Sequence, residues 1–352
     1  MNELNSSSDD LDRYSRQMRF APIGKAGQQR LRSARVLLCG CGALGSTIAD
    51  SLVRAGVGFL RIVDRDFVDL SNLQRQVLFD ESDVAERLPK VIAATQKLQR
   101  INSQVSVEPV IADIQPANIL ELSRDVDLIL DGSDNFELRF LINDAALETS
   151  LPWVYGGVVG SHGQTMAIRP GHTACLRCLM ETMPEPGSTE TCDTAGVLAP
   201  AIHVVASLQV VAALKLLTGQ GETIPQQLTI VDVWGATWRT VSLEGLRESG
   251  ECPACGQGRR DWLHGKSGTQ STVLCGRNSV QISPAEAFRL SLEELAAKLS
   301  PLGAVKQNAF LLRFTPTGSD CELTIFRDGR AIIQGTDDAT VARGLYVRYV
   351  GG

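Results

Sequence analysis

Histidine, basic charge and unbroken apolar runs are scarce in this chain, and each shortage closes off a class of function. The four histidines form no ligand or triad pattern, which leaves imidazole metal centres and Ser–His nucleophiles without their residues. A net charge of −6 argues against the basic face that non-specific nucleic-acid binding requires, so no nucleic-acid partner is expected. The most apolar stretch, Val197 to Leu217, is interrupted by Pro200, His203, Gln209 and Lys215; it falls short of a membrane span and reads as a buried or interface helix. Met1 to Asp12 is polar and acidic, without the basic and apolar regions of an export signal, so a cytoplasmic location is expected. There is no internal repeat.

What is present suits an α/β protein. The 352 residues can hold a full domain and a smaller second unit. Residues 1–12 are expected to be disordered. Tyr14 to Leu31 reads as helical at both ends, with Pro22 and Gly24 breaking the middle. Apolar runs at Arg35–Cys39, Phe59–Val63, Val105–Val110 and Val126–Leu130 alternate with helices at Leu44–Ala55 and Pro89–Ile101, the pattern of a doubly wound, Rossmann-like sheet. Strands around Val154–Val159, Gln164–Ile168, Leu228–Val233 and Trp238–Leu243 complete a first domain over residues 13–256. Residues 257–272 read as a linker. Residues 273–352 then form a small α+β domain, with strands through Val273–Ile282, Phe310–Phe314 and Leu323–Ile333 and helices from Leu292 and Asp338.

The chemistry gathers at the carboxyl ends of the first strands. Gly40-Cys41-Gly42-Ala43-Leu44-Gly45 sits between a strand and a helix: Gly40 permits the turn, Gly42 lets a phosphate approach the backbone, and Gly45 allows close helix–strand packing. Asp64, about twenty residues on, is placed to accept ribose hydroxyls. So far this reads as any dinucleotide site. Ser71-Asn72-Leu73-Gln74-Arg75-Gln76 then adds a guanidinium and amides that a nicotinamide enzyme does not need. Lys90, in the first turn of its helix, opposes the helix dipole unless an anion lies nearby; the plainer reading pairs it with Glu86. Asp134, at the edge of the next strand, would be repelled by polyphosphate unless a divalent cation lay between, which implies Mg²⁺; alternatively it caps a helix beginning near Phe136. The set points to a nucleoside triphosphate whose phosphates are worked on.

Two C-x-x-C pairs, Cys175/Cys178 and Cys252/Cys255, have the make-up of a four-thiolate structural zinc site with no open coordination position. Cys192 lies in a Gly/Pro/Thr-rich loop, where it is either an inert thiol or one available for covalent work.

Taken together, these residues resemble the adenylyltransferases that activate sulfur-carrier proteins in molybdopterin and thiamine biosynthesis (MoeB/ThiF/HesA type), relatives of ubiquitin-activating enzymes. The likeness runs from Tyr14 to Gly256 and includes Arg13-Tyr14-Ser15-Arg16-Gln17, the glycine turn, Asp64, Ser71–Gln76, Pro89-Lys90, Asp131–Asn135 and both cysteine pairs. It implies that ATP binds the glycine turn and that the C-terminal glycine carboxylate of a small ubiquitin-like carrier ending in Gly-Gly attacks the α-phosphate, releasing pyrophosphate. It further implies ribose contact by Asp64, nucleotide contacts by Asn72 and Asn135, phosphate contacts by Arg75 and Lys90, and magnesium at Asp134. Arg16 would reach a neighbouring subunit's site, hence a homodimer. Cys192 matches the loop cysteine that in some members takes part in thioester or acyl-disulfide transfer. The competing readings are an NAD-dependent oxidoreductase and a non-catalytic nucleotide-binding scaffold for a ubiquitin-like partner. The residues do not identify the carrier, the sulfur donor or the duty of 273–352.

Overall fold

Five short runs rich in branched apolar residues build the parallel half of the main sheet: β1 (Arg35–Cys39), β2 (Phe59–Asp64), β3 (Ser106–Ile111), β4 (Leu128–Asp131) and β5 (Trp153–Val159). The computed structural model describes residues 11–182, 195–265, 272–274, 278–282 and 290–350, so the N-terminal segment expected to be disordered lies, but for its last two residues, outside the described residues. β1 and β4 are covered on both faces, which is why they read as continuous apolar runs rather than alternating ones. The order is β3-β2-β1-β4-β5, with Leu37 of β1 opposite Arg61 of β2 and Ile129 of β4. Connections leave β1 and β4 toward opposite sides, and the crevice between their carboxyl ends is where such sheets receive ligands.

Past β5 the expectation of a doubly wound sheet needs correcting. β6 (His162–Ile168), β7 (Gln227–Asp232) and β8 (Thr237–Ser242) add antiparallel, making a mixed sheet of eight strands among the described residues. The cause is local. Gly160 takes φ +60° in a two-residue loop with Ser161, a geometry that returns the chain directly as a hairpin.

The helix Ala43–Ala55 buries Leu44, Ile48, Ala49, Leu52 and Val53 and stops at Gly56, whose φ of +82° is the usual left-handed helix end. Against it and against β5 and β6 lies the helix Ala199–Leu217. By length and composition this helix is apolar enough to cross a bilayer, contrary to the sequence expectation. Its buried stripe, Ala201, Ile202, Val205, Ala206, Gln209, Val210 and Ala213, is nevertheless that of a core helix packed on one side.

Residues 257–265, read above as linker, instead pack into the first unit. Trp262 stacks on Phe140 at 4.4 Å, and Trp262 and Leu263 are buried, because their backbone N–H groups donate to Asp144 of the helix Phe136–Thr149. By contacts the chain divides into two compact units, Met1–Ser267 and Gly268–Gly352. The second is an antiparallel sheet of β9 (Thr272–Leu274), β10 (Ser279–Ile282), β11 (Gly303–Gln307), β12 (Leu311–Pro316), β13 (Glu322–Phe326) and β14 (Ala331–Gln334), in the order β11-β12-β13-β14-β10-β9. The helices Leu292–Leu299 and Ala339–Tyr349 join Val280, Leu312, Phe314, Leu323, Ile325 and Ile333 in its core. The expected single strand Leu323–Ile333 is two, split by a turn at Asp328-Gly329 with Gly329 at φ +82°.

Candidate functional site

Gly40 leaves β1 at φ +99°, and a Cβ there would sit 2.8 Å from the Gly132 carbonyl oxygen. A Cβ on Gly45 would come within 2.1 Å of the Gly40 oxygen. These two glycines are therefore required by the packing of the turn against the loop after β4. Gly42 is different: a Cβ there would meet only the Gly132 oxygen, at an ordinary 3.9 Å. The protein itself does not demand glycine at that position, whereas a phosphate approaching the backbone would. No side chain caps the helix that starts after Gly42, so its first-turn N–H groups face the crevice as anion donors.

Asp64 closes onto the same turn. Its Oδ2 accepts from Cys41 N–H at 2.6 Å and its Oδ1 from Asp66 N–H at 2.7 Å. Burial pushes this carboxyl above the ordinary range, while the Lys90 charge pulls it back. Lys90, 3% exposed, pairs through Nζ with Asp66 Oδ2 at 3.1 Å, and its backbone N–H donates to the Asp66 carbonyl. Its partner is thus Asp66 and not Glu86. The tie between 66 and 90 closes the neck of the loop that carries Asn72 and Arg75. Asn72 is buried and accepts from Asp69 N–H at 3.2 Å, which gives it a part in shaping that loop. Arg75 donates to the Ser71 carbonyl at 2.8 Å and forms no ion pair among the described residues.

At the end of β4, Asp134 is exposed and, among the described residues, in no ion pair. It is not the helix cap; that is Asn135, whose Oδ1 accepts from Glu137 N–H at 2.8 Å. Asp134 raises the pKa of both Arg65 and Arg139, so its charge sits near each. The glycine turn, Asp64, Lys90 and Asp134 therefore share one edge of the sheet. Arg16 does not. Its short helix Ser15–Arg19 follows Tyr14, which touches Gly56 and receives a hydrogen bond from Asn102 Nδ2 at 2.7 Å. Gly56 lies a whole helix, ~20 Å, from the glycine turn, so Arg16 could serve such a site only across a subunit boundary. Cys192 lies outside the described residues.

The four paired cysteines do converge. Their Sγ atoms all lie within 4.8 Å of one another, with 3.6 Å between Cys175 and Cys252, 3.8 Å between Cys178 and Cys175, and 3.4 Å between Cys178 and Cys255. Tetrahedral zinc with bonds of about 2.3 Å calls for sulfurs about 3.8 Å apart, so the donor set fits. Neighbouring thiols and burial drive the Cys175 thiol far up; a dication would reverse this and hold thiolates. Leu176 N–H, between the first pair, donates to Asn143 Oδ1 at 2.9 Å.

Sequence reasoning passed over Asp66, Arg139 and Gln209. Arg139 pairs with buried Asp131 at 3.0 Å, and Gln209 donates to the Asp131 carbonyl at 2.8 Å. The available signal was an amide inside a strongly apolar helix, Gln209 in Ala199–Leu217; Arg139 lies among the other charges of Phe136–Thr149 and gave none.

The ThiF family model matches residues 14–254. The chain is 44% identical over 340 residues to the sulfur carrier protein ThiS adenylyltransferase of Bacillus subtilis (strain 168), covering 96% of this chain and 99% of that protein. It is 38% identical over 258 residues to the SAMP-activating enzyme E1 of Haloferax volcanii, covering 73% of this chain and 93% of that one. Among solved structures it is similar in fold to E. coli MccB crystallised with ATP, at a TM-score of 0.57 and 23% identity over 66% of this chain and 71% of that chain.

Proposed function

Since the chain belongs to the ThiF family, we infer that it is an adenylyltransferase acting on a small ubiquitin-like sulfur carrier that ends in Gly-Gly. The observation that carries this is one sheet edge bearing an uncapped glycine turn, Asp64, Lys90 and an exposed Asp134 that forms no ion pair among the described residues. The carrier's terminal carboxylate, already ionised at neutral pH, attacks the α-phosphorus of ATP. The bond to the bridging oxygen breaks, pyrophosphate leaves with its electrons, and the carrier acyl-adenylate remains. Such an in-line displacement needs alignment and charge neutralisation more than a base, which suits a site without histidine. The turn amides and Lys90 hold phosphate oxygens, Asp64 the ribose, and Arg75 swings from the Ser71 carbonyl onto the phosphates. Mg²⁺, held by Asp134, would supply further neutralisation of the triphosphate. Zinc in the cysteine cluster is structural.

Likeness to the Bacillus protein through both units favours a ThiS-type carrier, whereas alignment with the Haloferax protein is accounted for by 258 residues. The second unit is accordingly an accessory, and we assign it to carrier positioning; removing residues 268–352 should weaken carrier binding and spare ATP binding. A cytoplasmic homodimer is the assembly that makes sense of Arg16. Mixing Arg16→Ala chains with Asp134→Ala chains should restore part of the activity that each lacks alone.

The decisive test is ATP–pyrophosphate exchange with and without a Gly-Gly carrier. Carrier-dependent exchange is expected. Hydride transfer to NAD without exchange would select the oxidoreductase, and ATP binding without exchange the scaffold.

A further inference from the structure

Asp131 and Arg139 are 0% and 5% exposed, and the cost of burying two charges is rarely recovered as stability, since apolar residues of the same size would serve as well. What this pair does and apolar residues could not is fix one short loop. Arg139 Nε donates to Asp131 Oδ2 at 3.0 Å, and its Nη2 donates to the carbonyls of Ser133 and Gly156, both at 2.9 Å. Asp131 Oδ1 accepts from Ser133 N–H at 2.9 Å and from Ser133 Oγ at 2.6 Å, while Oδ2 also faces Gly156 N–H at 3.4 Å. Ser133 is therefore held at its N–H, its carbonyl and its hydroxyl together. Asn135 is held by its capping bond, and Gly132 is wedged on the glycine turn, where a Cβ would lie 2.7 Å from the Gly40 oxygen. Between two immobilised neighbours stands Asp134, its own side chain left in solvent. A planar guanidinium is the side chain that can reach one carboxylate and two carbonyls at once; a lysine ammonium is not built for that spread.

We propose that Asp131 and Arg139 form a buried clamp that positions Asp134 toward the metal–triphosphate complex. The clamp does not touch substrate. It sets the direction of the Asp134 carboxylate and so determines how much ATP binding gains from Mg²⁺. This rests on the role given to Asp134 above.

The test is calorimetric ATP affinity of the full chain with and without Mg²⁺, alongside thermal unfolding and exchange kinetics. For Arg139→Lys, which keeps a charge for Asp131, the gain in affinity conferred by Mg²⁺ should fall about 10–100-fold, the order expected when a catalytic group is displaced by an ångström. Affinity without Mg²⁺ should hold, and in exchange, which runs with Mg²⁺, the KM for ATP should rise with that lost gain. Ser133→Ala, which deletes one hydrogen bond and cannot unfold the chain, should reduce the same gain by about threefold. Arg139→Lys added to Asp134→Asn should bring no further loss, because both act through one carboxylate. A full Mg²⁺ gain in Arg139→Lys overturns the clamp, as does equal weakening with and without Mg²⁺. If Arg139→Lys does not fold, an unchanged gain in Ser133→Ala overturns it. Should Asp134→Asn itself keep the whole gain, the metal role of Asp134 fails and the clamp with it; loss there with no effect at 139 and 133 sinks the clamp alone.

Discussion

The nucleotide edge and the cysteine cluster lie toward the two ends of one helix, Phe136–Thr149, and are finished in opposite ways. Before its first turn, Asp134 is exposed and, among the described residues, in no ion pair; likewise among them Arg75 has only a carbonyl partner, and the helix Ala43–Ala55 begins uncapped. Around its later turns the polar groups are tied. Asn143 receives Leu176 N–H, Asp144 receives Trp262 N–H at 3.0 Å, and Arg177 meets Asp261 at 3.1 Å beneath the stacked Phe140 and Trp262. A region that binds and releases a charged molecule keeps its charges available to water. A region whose four thiols could hold an ion is enclosed around them. The difference shows which residues can be replaced without disturbing the fold.

The largest effect should come from the closed end. Cys252→Ser removes one of four converging thiols and should abolish stoichiometric zinc in metal analysis. The loss is on the order of 4–5 kcal/mol, and at about 2–4 °C per kcal/mol for a domain of this size it lowers the thermal midpoint by roughly 10–20 °C. At the open end, Asp134→Ala and Arg75→Ala should each slow pyrophosphate exchange by about 10²–10³ and leave the midpoint near that of the wild type. A drop in midpoint comparable to that of Cys252→Ser would erase the contrast. Lys90 falls between the two, since its charge acts on Asp64 yet it is buried against Asp66. Lys90→Met should therefore cost about 1–3 kcal/mol of stability through loss of its close ion pair with Asp66 as well as exchange activity. Loss of activity with unchanged denaturant midpoint would place it wholly with Arg75.

These distinctions were only half visible in the sequence. The glycine turn, Asp64 and the parallel strands are local signals, so spacing alone places them. The direction of β6 depends on the Gly160-Ser161 loop, and a strand pattern is the same whichever way its neighbour runs. Asp328-Gly329 was a legible hairpin turn inside what looked like one strand. The pairing of Lys90 with Asp66 and of Arg139 with two carbonyls joins residues on different elements, and no periodicity announces it. Trp262 was hidden for the same reason: a Gly- and charge-rich stretch looks like linker until its one aromatic finds Phe140.

Even the closed end leaves two atoms over, Asn143 Nδ2 and Asp144 Oδ1, neither with a partner among the described residues. Burial raises the Asp144 carboxyl above its ordinary value, against the N–H groups of Trp262 and Leu263 and the charges of Arg177 and Arg260, which lower it. A carboxyl raised in the fold favours its protonated form there. Its contribution is complete below the unfolded value, near pH 4, and is lost as pH rises through the folded one. Asp144→Asn keeps an oxygen for the two backbone donors and cannot ionise. Relative to wild type, its thermal midpoint should therefore improve from pH 5 to pH 8, by a few degrees at most, the smallest shift of the set. A difference that is flat across that range, or that runs the other way, would mean that Asp144 is held as a carboxylate, and that the closed end tolerates an open charge after all.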